Sequence, residues 1–306
     1  MSRRSKGRDV HGIVLLDKPA GYSSSQAVQK VRWLFQARKA GHTGTLDPFA
    51  TGMLPICLGE ASKTAGFMLE SAKTYVARAL LGQATTTGDT EGEVSITAAV
   101  PALDRDQVTR VLAGFQGQVA QIPPMYSALK HQGKPLYRLA RAGQEVPREA
   151  RQVTIHALEL LTWEAPVLEF RVRCSKGTYV RTLAEDIAQA MGSCAHLQAL
   201  RRLEVEPFQA EDMFMLEELA DRAERGRIEQ CLLPPDAGLR DWPIVRLDAE
   251  HAVRFGHGNP VEGDADLAGM VRVYGPGDIL LGLGEMTAHG ILKARRVMHL
   301  ESPETA

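Results

Sequence analysis

Long apolar runs are missing from this chain of 306 residues. No stretch approaches the roughly 18 residues that a bilayer-spanning helix needs. The first apolar run, Ile13 to Leu16, is too short for the roughly 7–15-residue core of a secretory signal. The protein is therefore expected in the cytoplasm, away from membranes. Cysteine is scarce: Cys57, Cys174, Cys194 and Cys231 are scattered and form no C-x-x-C pair. That excludes a disulfide framework and argues against a structural zinc site. Charge of either sign is not in excess, with 36 Lys and Arg against 37 Asp and Glu, a net of −1. A uniformly basic nucleic-acid coat and an acidic disordered tail are both excluded, although local patches are not. No G-x-x-x-x-G-K-[ST] occurs, no G-x-G-x-x-G follows a strand, and H-E-x-x-H is absent. Nucleotide-cofactor and metalloprotease chemistry thus lose their usual signals. The expectation is chemistry without cofactor or metal.

What is present is an ordinary globular composition, 44% hydrophobic and 24% charged, long enough for about two domains. Residues 1–9 carry Arg3, Arg4, Lys6 and Arg8 and read as a frayed basic arm. Gly12 to Asp17 reads as a buried strand. Ser23, Ser24 and Ser25 offer caps for a helix from about Gln26 to Phe35, whose Val28, Val31, Leu34 and Phe35 share a face. Strands are expected at Met53–Leu58 and Thr74–Gly82, and helices at Lys63–Ser71 and Asp104–Gly114. Val153–Trp163 and Val167–Ser175 alternate like a hairpin, with Phe170, Val172 and Cys174 on one face. A helix follows to about Met191, and residues 211–233 are acidic and helical. From Trp242 the chain turns to short glycine-rich strands, which suggests a small separate β domain.

Two segments carry the chemistry. Gly41 to Gly52 is a loop dense in glycine and small polar residues, with Asp47 between His42 and Pro48. An aspartate in a turn ordinarily just caps it. Here a cation such as Arg181, at a strand end in another glycine-containing turn, could clamp it bidentately, lowering its pKa and keeping a nucleophile charged. Residues 122–151 form a Pro-rich excursion with six basic residues, Lys130 among them, against Glu145 and Glu149. Tyr126, Tyr137 and His131 interleave with those charges, as suits base stacking beside phosphate contact.

Gly41-His42-Thr43-Gly44-Thr45-Leu46-Asp47-Pro48, with Ala50 to Pro55 behind it, resembles the catalytic motif of the TruB family of tRNA pseudouridine-55 synthases. Leu16 to Gly21 resembles that family's N-terminal KP motif, and Lys73-Thr74-Tyr75 its tyrosine motif. Thr87 to Gly92 resembles its acidic loop, Ser175 to Arg181 its arginine motif, and His196 to Arg202 follows in order. The resemblance covers about residues 11–235 and, more loosely, the C-terminal part. It implies an α+β fold: a mixed, largely antiparallel sheet flanked by helices, over residues 10–235, and a small PUA-like β domain over 242–302. It implies an isomerase that converts uridine-55 in the tRNA T-loop, with Asp47 as nucleophile, Tyr75 as stacking partner and general base, and Arg181 paired with Asp47. Tyr179 and Leu200 would line the pocket, Lys18 and Pro19 would shape it, and His42 would fill the gap left by the flipped base. The 122–151 excursion would order over the T-loop, with Lys130 on phosphates and Arg201 and Arg202 contributing similarly. A monomer acting on the T-arm is expected. Two other readings stay open at this stage: a tRNA-binding or folding protein whose catalysis is secondary, and another carboxylate enzyme with Asp89 as the second acid. Whether Asp47 adds to the base or acts at the ribose is also open.

Overall fold

A computed structural model describes residues 7–300. Arg3, Arg4 and Lys6 of the basic arm lie outside the described residues. Arg8 is not frayed: its N–H donates to Gln36 O at 2.7 Å and its guanidinium pairs with Glu229.

The run Ile13–Leu16 becomes β1 (Gly12–Lys18). Both its faces are covered: Val14 and Leu16 join the main core, while Ile13 and Leu15 join a second one. Ser23 caps α1 (Ser24–Leu34), where Gln26 completes a capping box and Ala27, Val28, Val31 and Leu34 are buried. Next come β2 (Ala40–His42) and β3 (Thr51–Leu58), which pair antiparallel and leave residues 43–50 as the loop between them. The helix expected over Lys63–Ser71 breaks into a 3₁₀ turn at Gly59–Lys63 and a single turn, α2 (Ala65–Met68). The Thr64 hydroxyl donates to Ala61 O there, competing with the helical ladder, and Gly66 follows. β4 (Lys73–Leu81), the small hairpin β5 (Gln83–Thr85) and β6 (Val94–Thr97), α3 (Arg105–Ala113) and β7 (Gly117–Gln121) complete the first half.

The basic excursion folds as β8 (Lys130–His131), β9 (Lys134–Pro135) and α4 (Leu136–Arg141). Residues 122–129 and 142–150, on either side of these elements, carry no helix or strand. β10 (Arg151–Glu164) and β11 (Val167–Cys174) form the expected hairpin, and α5 (Val180–Ala190) follows. β12 (Ala195–Val205) escapes a period-two reading because register shifts between Leu197 and Ala199 and between Arg202 and Glu204 interrupt its alternation. Of the acidic stretch only α6 (Leu216–Glu224) is α-helical, ending before Gly226 at φ 66°.

The large sheet runs β1-β3-β12-β4-β11-β10-β7, with β2 also on β3. Every pairing is antiparallel except β12 with β3, which touches only at Arg201–Thr51 and Arg202–Gly52. β1 occupies one edge of β3, so β12 and β2 share the other, at opposite ends. The loop 43–50 emerges at that parting. Gly52 is required there: at φ 99°, a Cβ would lie 2.1 Å from Arg202 O.

The last part holds β13 (Ile244–Arg246), α7 (Ala249–Gly256), β14 (Val261–Glu262), β15 (Gly269–Tyr274), β16 (Leu280–Met286) and β17 (Ile291–Val297). They form a five-stranded sheet with a core of its own around Phe255 and Val271. The helix α7, capped by Asp248, was not expected in an all-β unit. Nor is the unit fully separate, since Leu280, Leu283 and Met298 share the second core with Ile13, Leu15 and Met53.

Candidate active site

Asp47 sits where two cavities meet. The inner, about 230 Å³, is lined by Lys73, Tyr75, Tyr179, Leu200 and Arg202. The outer, about 450 Å³, is lined by His42, Asp89, Glu91, Tyr126, Tyr137 and Arg141. Asp47 and Arg181 border both.

The loop carrying Asp47 is tied down from four sides. Ser24, the first residue of α1, donates its hydroxyl to Leu46 O at 2.9 Å and accepts from Leu46 N–H at 2.8 Å. Gly21 N–H donates to Pro48 O at 2.8 Å. Lys18, wholly buried, spends its ammonium on Pro19 O and Tyr22 O at 2.8 Å and Pro48 O at 3.3 Å. Arg202 donates Nε to Met53 O at 2.7 Å and Nη2 to Gly44 O at 3.2 Å. Buried cations are tolerated when each donor has an acceptor, as here. Burial nevertheless pulls the Lys18 ammonium down to about 8, with Asp47 opposing the shift.

Arg181 does meet Asp47, but not as a bidentate clamp. Its Nε lies 3.1 Å from Asp47 Oδ2. Nη1 donates to Thr87 O at 2.6 Å and to Asp89 Oδ2 at 3.3 Å, and Nη2 donates to Tyr126 O at 2.7 Å. One guanidinium therefore holds the loop 43–50, the acidic loop and the basic excursion together. The expected lowering of the Asp47 pKa is also overturned. Burial pushes the carboxyl above the usual range, and the opposing pull of Arg181 is smaller.

Asp89 is close to Asp47, since both reach the same guanidinium. Its carboxylate is spent, however. Oδ1 accepts from the Thr87 hydroxyl and from Glu91 N–H at 3.0 Å, Oδ2 from Arg181, and the residue is buried. A free second acid, as paired-carboxylate hydrolysis needs, is not offered there.

Tyr75 lies on β4 between Val172 of β11 and Arg202 of β12 and faces the inner cavity. Burial pushes its phenol up, while the neighbouring Arg202 opposes. Tyr179 precedes α5, held by Gln121, whose Oε1 accepts from its N–H at 3.1 Å. Leu200, buried on β12, completes the apolar wall. His42 borders the outer cavity, and its Nδ1 accepts from Gly44 N–H at 3.2 Å. Burial lowers its pKa, so the ring is a neutral Nε2–H imidazole.

Two arginines expected at phosphates have other work. Arg202 is 1% exposed and its donors go to loop carbonyls. Arg201 grips Asp17 bidentately at 2.9 and 2.7 Å. Lys130 is exposed on β8 with no acidic partner among the described residues. Sequence reading missed Lys73, buried with its ammonium on Leu69 O and pulled down to about 8. It also missed the anchoring by Ser24. Lys73 was in view, two residues before Tyr75, whereas Ser24 looked like one of three equivalent caps.

Comparison with known proteins follows the same lines. Residues 32–180 match the N-terminal domain model of the TruB family pseudouridylate synthases. Residues 181–240 match the tRNA pseudouridylate synthase B C-terminal domain, and 243–298 the C-terminal model of pseudouridine synthase II TruB. The chain is 51% identical over 303 residues to the tRNA pseudouridine synthase B of Nitrosococcus oceani, covering 98% of each. It is 48% identical over 298 residues to that of Pseudomonas syringae pv. syringae, covering 96% of this chain and 97% of the relative. Among solved structures, a Cbf5-Nop10-Gar1 complex contains a chain with TM-score 0.71 and 27% identity, covering 95% of this chain and 84% of that one.

Proposed function

Since the chain belongs to the TruB family, and is therefore an isomerase of tRNA pseudouridine synthesis, we propose that its target is uridine-55 of the T-loop and that Asp47 is the nucleophile. The observation that carries this reading is the place of Asp47, where a cavity lined by Tyr75, Tyr179 and Leu200 meets one lined by His42, Tyr126 and Tyr137, with Arg181 Nε on its carboxylate.

A stacked uridine cannot reach Asp47, so it must leave the helix at a cost of a few kcal/mol. The inner cavity receives the base against Tyr75, Tyr179 and Leu200; the outer takes the ribose-phosphate chain. His42, neutral and braced by Gly44, fills the space the base has left. The Asp47 carboxylate attacks, the C1′–N1 bond breaks, and uracil takes up the bonding electrons. The base turns, C5 bonds to C1′, the bond to Asp47 breaks and returns the carboxylate, the C5 proton leaves, and N1 is protonated. Tyr75 stacks on the base. Its phenol can take the C5 proton only after releasing its own, which the adjacent Arg202 charge favours. Tyr137, Arg141 and Lys130 present the basic excursion to the T-arm. The five-stranded C-terminal sheet is the part proposed to meet the acceptor end.

The test is tritium release from tRNA labelled at uracil C5. The wild type should release tritium with the modification at position 55, while Asp47→Asn loses roughly 10⁴-fold or more in turnover. Binding should stay within about twofold, because the change is isosteric and leaves the phosphate contacts in place. Turnover by Asp47→Asn would remove the nucleophile assignment. Tight binding with no release by either chain would favour a tRNA-folding role.

A further inference from the structure

The basic excursion brings to the cleft one side chain that the roles above leave unused. Ser127 is 6% exposed, and its hydroxyl has no hydrogen-bond partner. Its backbone, by contrast, is held on both sides. The N–H donates to Met125 O at 3.0 Å, and the carbonyl accepts from Tyr137 N–H at 3.1 Å. The preceding carbonyl, of Tyr126, accepts from Arg181. The backbone that carries the hydroxyl is thus held in place. The Tyr179 phenol lies beside the hydroxyl and feels it, without closing a hydrogen bond of normal geometry. A buried hydroxyl left unpaired destabilises a folded chain, and such groups call for a reason. Alanine would avoid the cost.

Ser127 borders both cavities, as Asp47 does. On the proposed function, which this inference rests on, the base fills the inner cavity and the backbone runs through the outer. The junction between them then holds the ribose, with C1′ toward Asp47. The ribose hydroxyl nearest C1′ is the one on the adjacent carbon, C2′, and it is the only polar group there that can both donate and accept. We propose that Ser127 is a specificity-determining residue that hydrogen-bonds the 2′-hydroxyl of the target nucleotide. A hydroxyl suits this task because it can donate and accept, as the 2′-hydroxyl can. The consequence is discrimination of ribose from deoxyribose at the reacting nucleotide itself.

The experiment compares two stem-loop RNAs, with uridine or 2′-deoxyuridine at the target position. Each is titrated in the Asp47→Asn chain, so that no turnover occurs, with and without Ser127→Ala. With Ser127 present, the ribose RNA should bind about tenfold more tightly than the deoxy RNA, the size of one neutral hydrogen bond. Ser127→Ala should shrink that preference to about twofold or less, chiefly by weakening the ribose RNA. Its melting temperature should hold or rise, since an unpaired hydroxyl has gone. Equal weakening of both RNAs would overturn the inference, because the hydroxyl would then serve the base or Tyr179. So would no change in either, or a fall in melting temperature, which would reveal an internal partner. Tritium release from the ribose RNA by the chain with Asp47 intact separates the two ideas. Without release the proposed function fails. Release combined with an unchanged ribose preference sinks only the role of Ser127.

Discussion

The loop 43–50 and the excursion 122–151 face each other across the cleft, and they are held in opposite ways. Buried groups from β1, α1 and β12 fasten the loop: Lys18, Ser24 and Arg202 all end on its carbonyls or those next to it. The excursion keeps most of its charge in solvent and is fastened by backbone, through Tyr126 O on Arg181 and Pro123 O accepting from Arg148 at 3.0 Å. The difference separates two tasks. A nucleophile must be aimed before substrate arrives, so its support is buried and assembled in advance. A surface that meets a polyanion gains from long, hydrated, adaptable cations, and loses if they are locked away.

The sharpest way to break this contrast is at Arg181, which bonds to both sides. Arg181→Lys offers one ammonium to partners in three directions and cannot reproduce a planar group. Turnover should fall by roughly 100-fold or more, measured in single-turnover assays, with tRNA binding much less affected. A near-normal rate would show that the three-way link is dispensable.

The next test removes support from the loop alone. Arg202→Met leaves the carbonyls of Met53 and Gly44 without their cationic donor. A loss of about 3 kcal/mol is expected in urea unfolding, from two hydrogen bonds to a charged group. Lys130→Ala, on the opposite side, should leave the same unfolding curve unmoved.

pH tests the loop side more gently. Below about 8 Lys18 is charged and supports the loop; turnover should fall as pH rises through that value. The stability contribution runs the other way. Between about 8 and 10.5 the unfolded chain holds a proton on Lys18 that the folded chain lacks. Stability from this group therefore rises with pH in that window, relative to Lys18→Met. On the acid side, turnover should fail above the ordinary carboxylate value of 3.8, because burial raises Asp47.

The smallest effect is expected on the exposed side. Lys130→Ala should weaken tRNA binding by a few-fold and reduce the salt slope by about one unit, with turnover at saturating tRNA unchanged. An unchanged slope would place Lys130 away from phosphates.

Legibility followed the same division. Asp47, Tyr75, Tyr179, Leu200 and Arg181 were found in motifs with local signatures, and all five line the inner cavity. β11 was plain because burial alternates at every second residue, through Leu168, Phe170, Val172 and Cys174. What stayed hidden depends on neighbours distant in sequence. Arg202 reads as a surface cation until β12 is seen between β3 and β4. The sharing of Arg181 between Asp47 and Asp89 likewise arises only when α5 meets two loops from the first third of the chain. Ser127 gave no signal, because a serine in a Pro-rich stretch normally means a turn.

The position of β12 also sets a timetable. Residues 51–58 and 73–81 leave the ribosome early, yet they are not neighbours in the finished sheet; residues 195–205 lie between them. Until that late strand is made, the Thr51–Gly52 end of β3 and one edge of β4 stay unpaired, the condition that invites wrong pairing. Arg202 arrives with the same strand, so the carbonyls of Met53 and Gly44 lack their guanidinium donor before then. A nascent chain is consequently a protein with its motif already written and its catalyst not yet in existence. Insertion of one strand would complete the sheet and arm the site together.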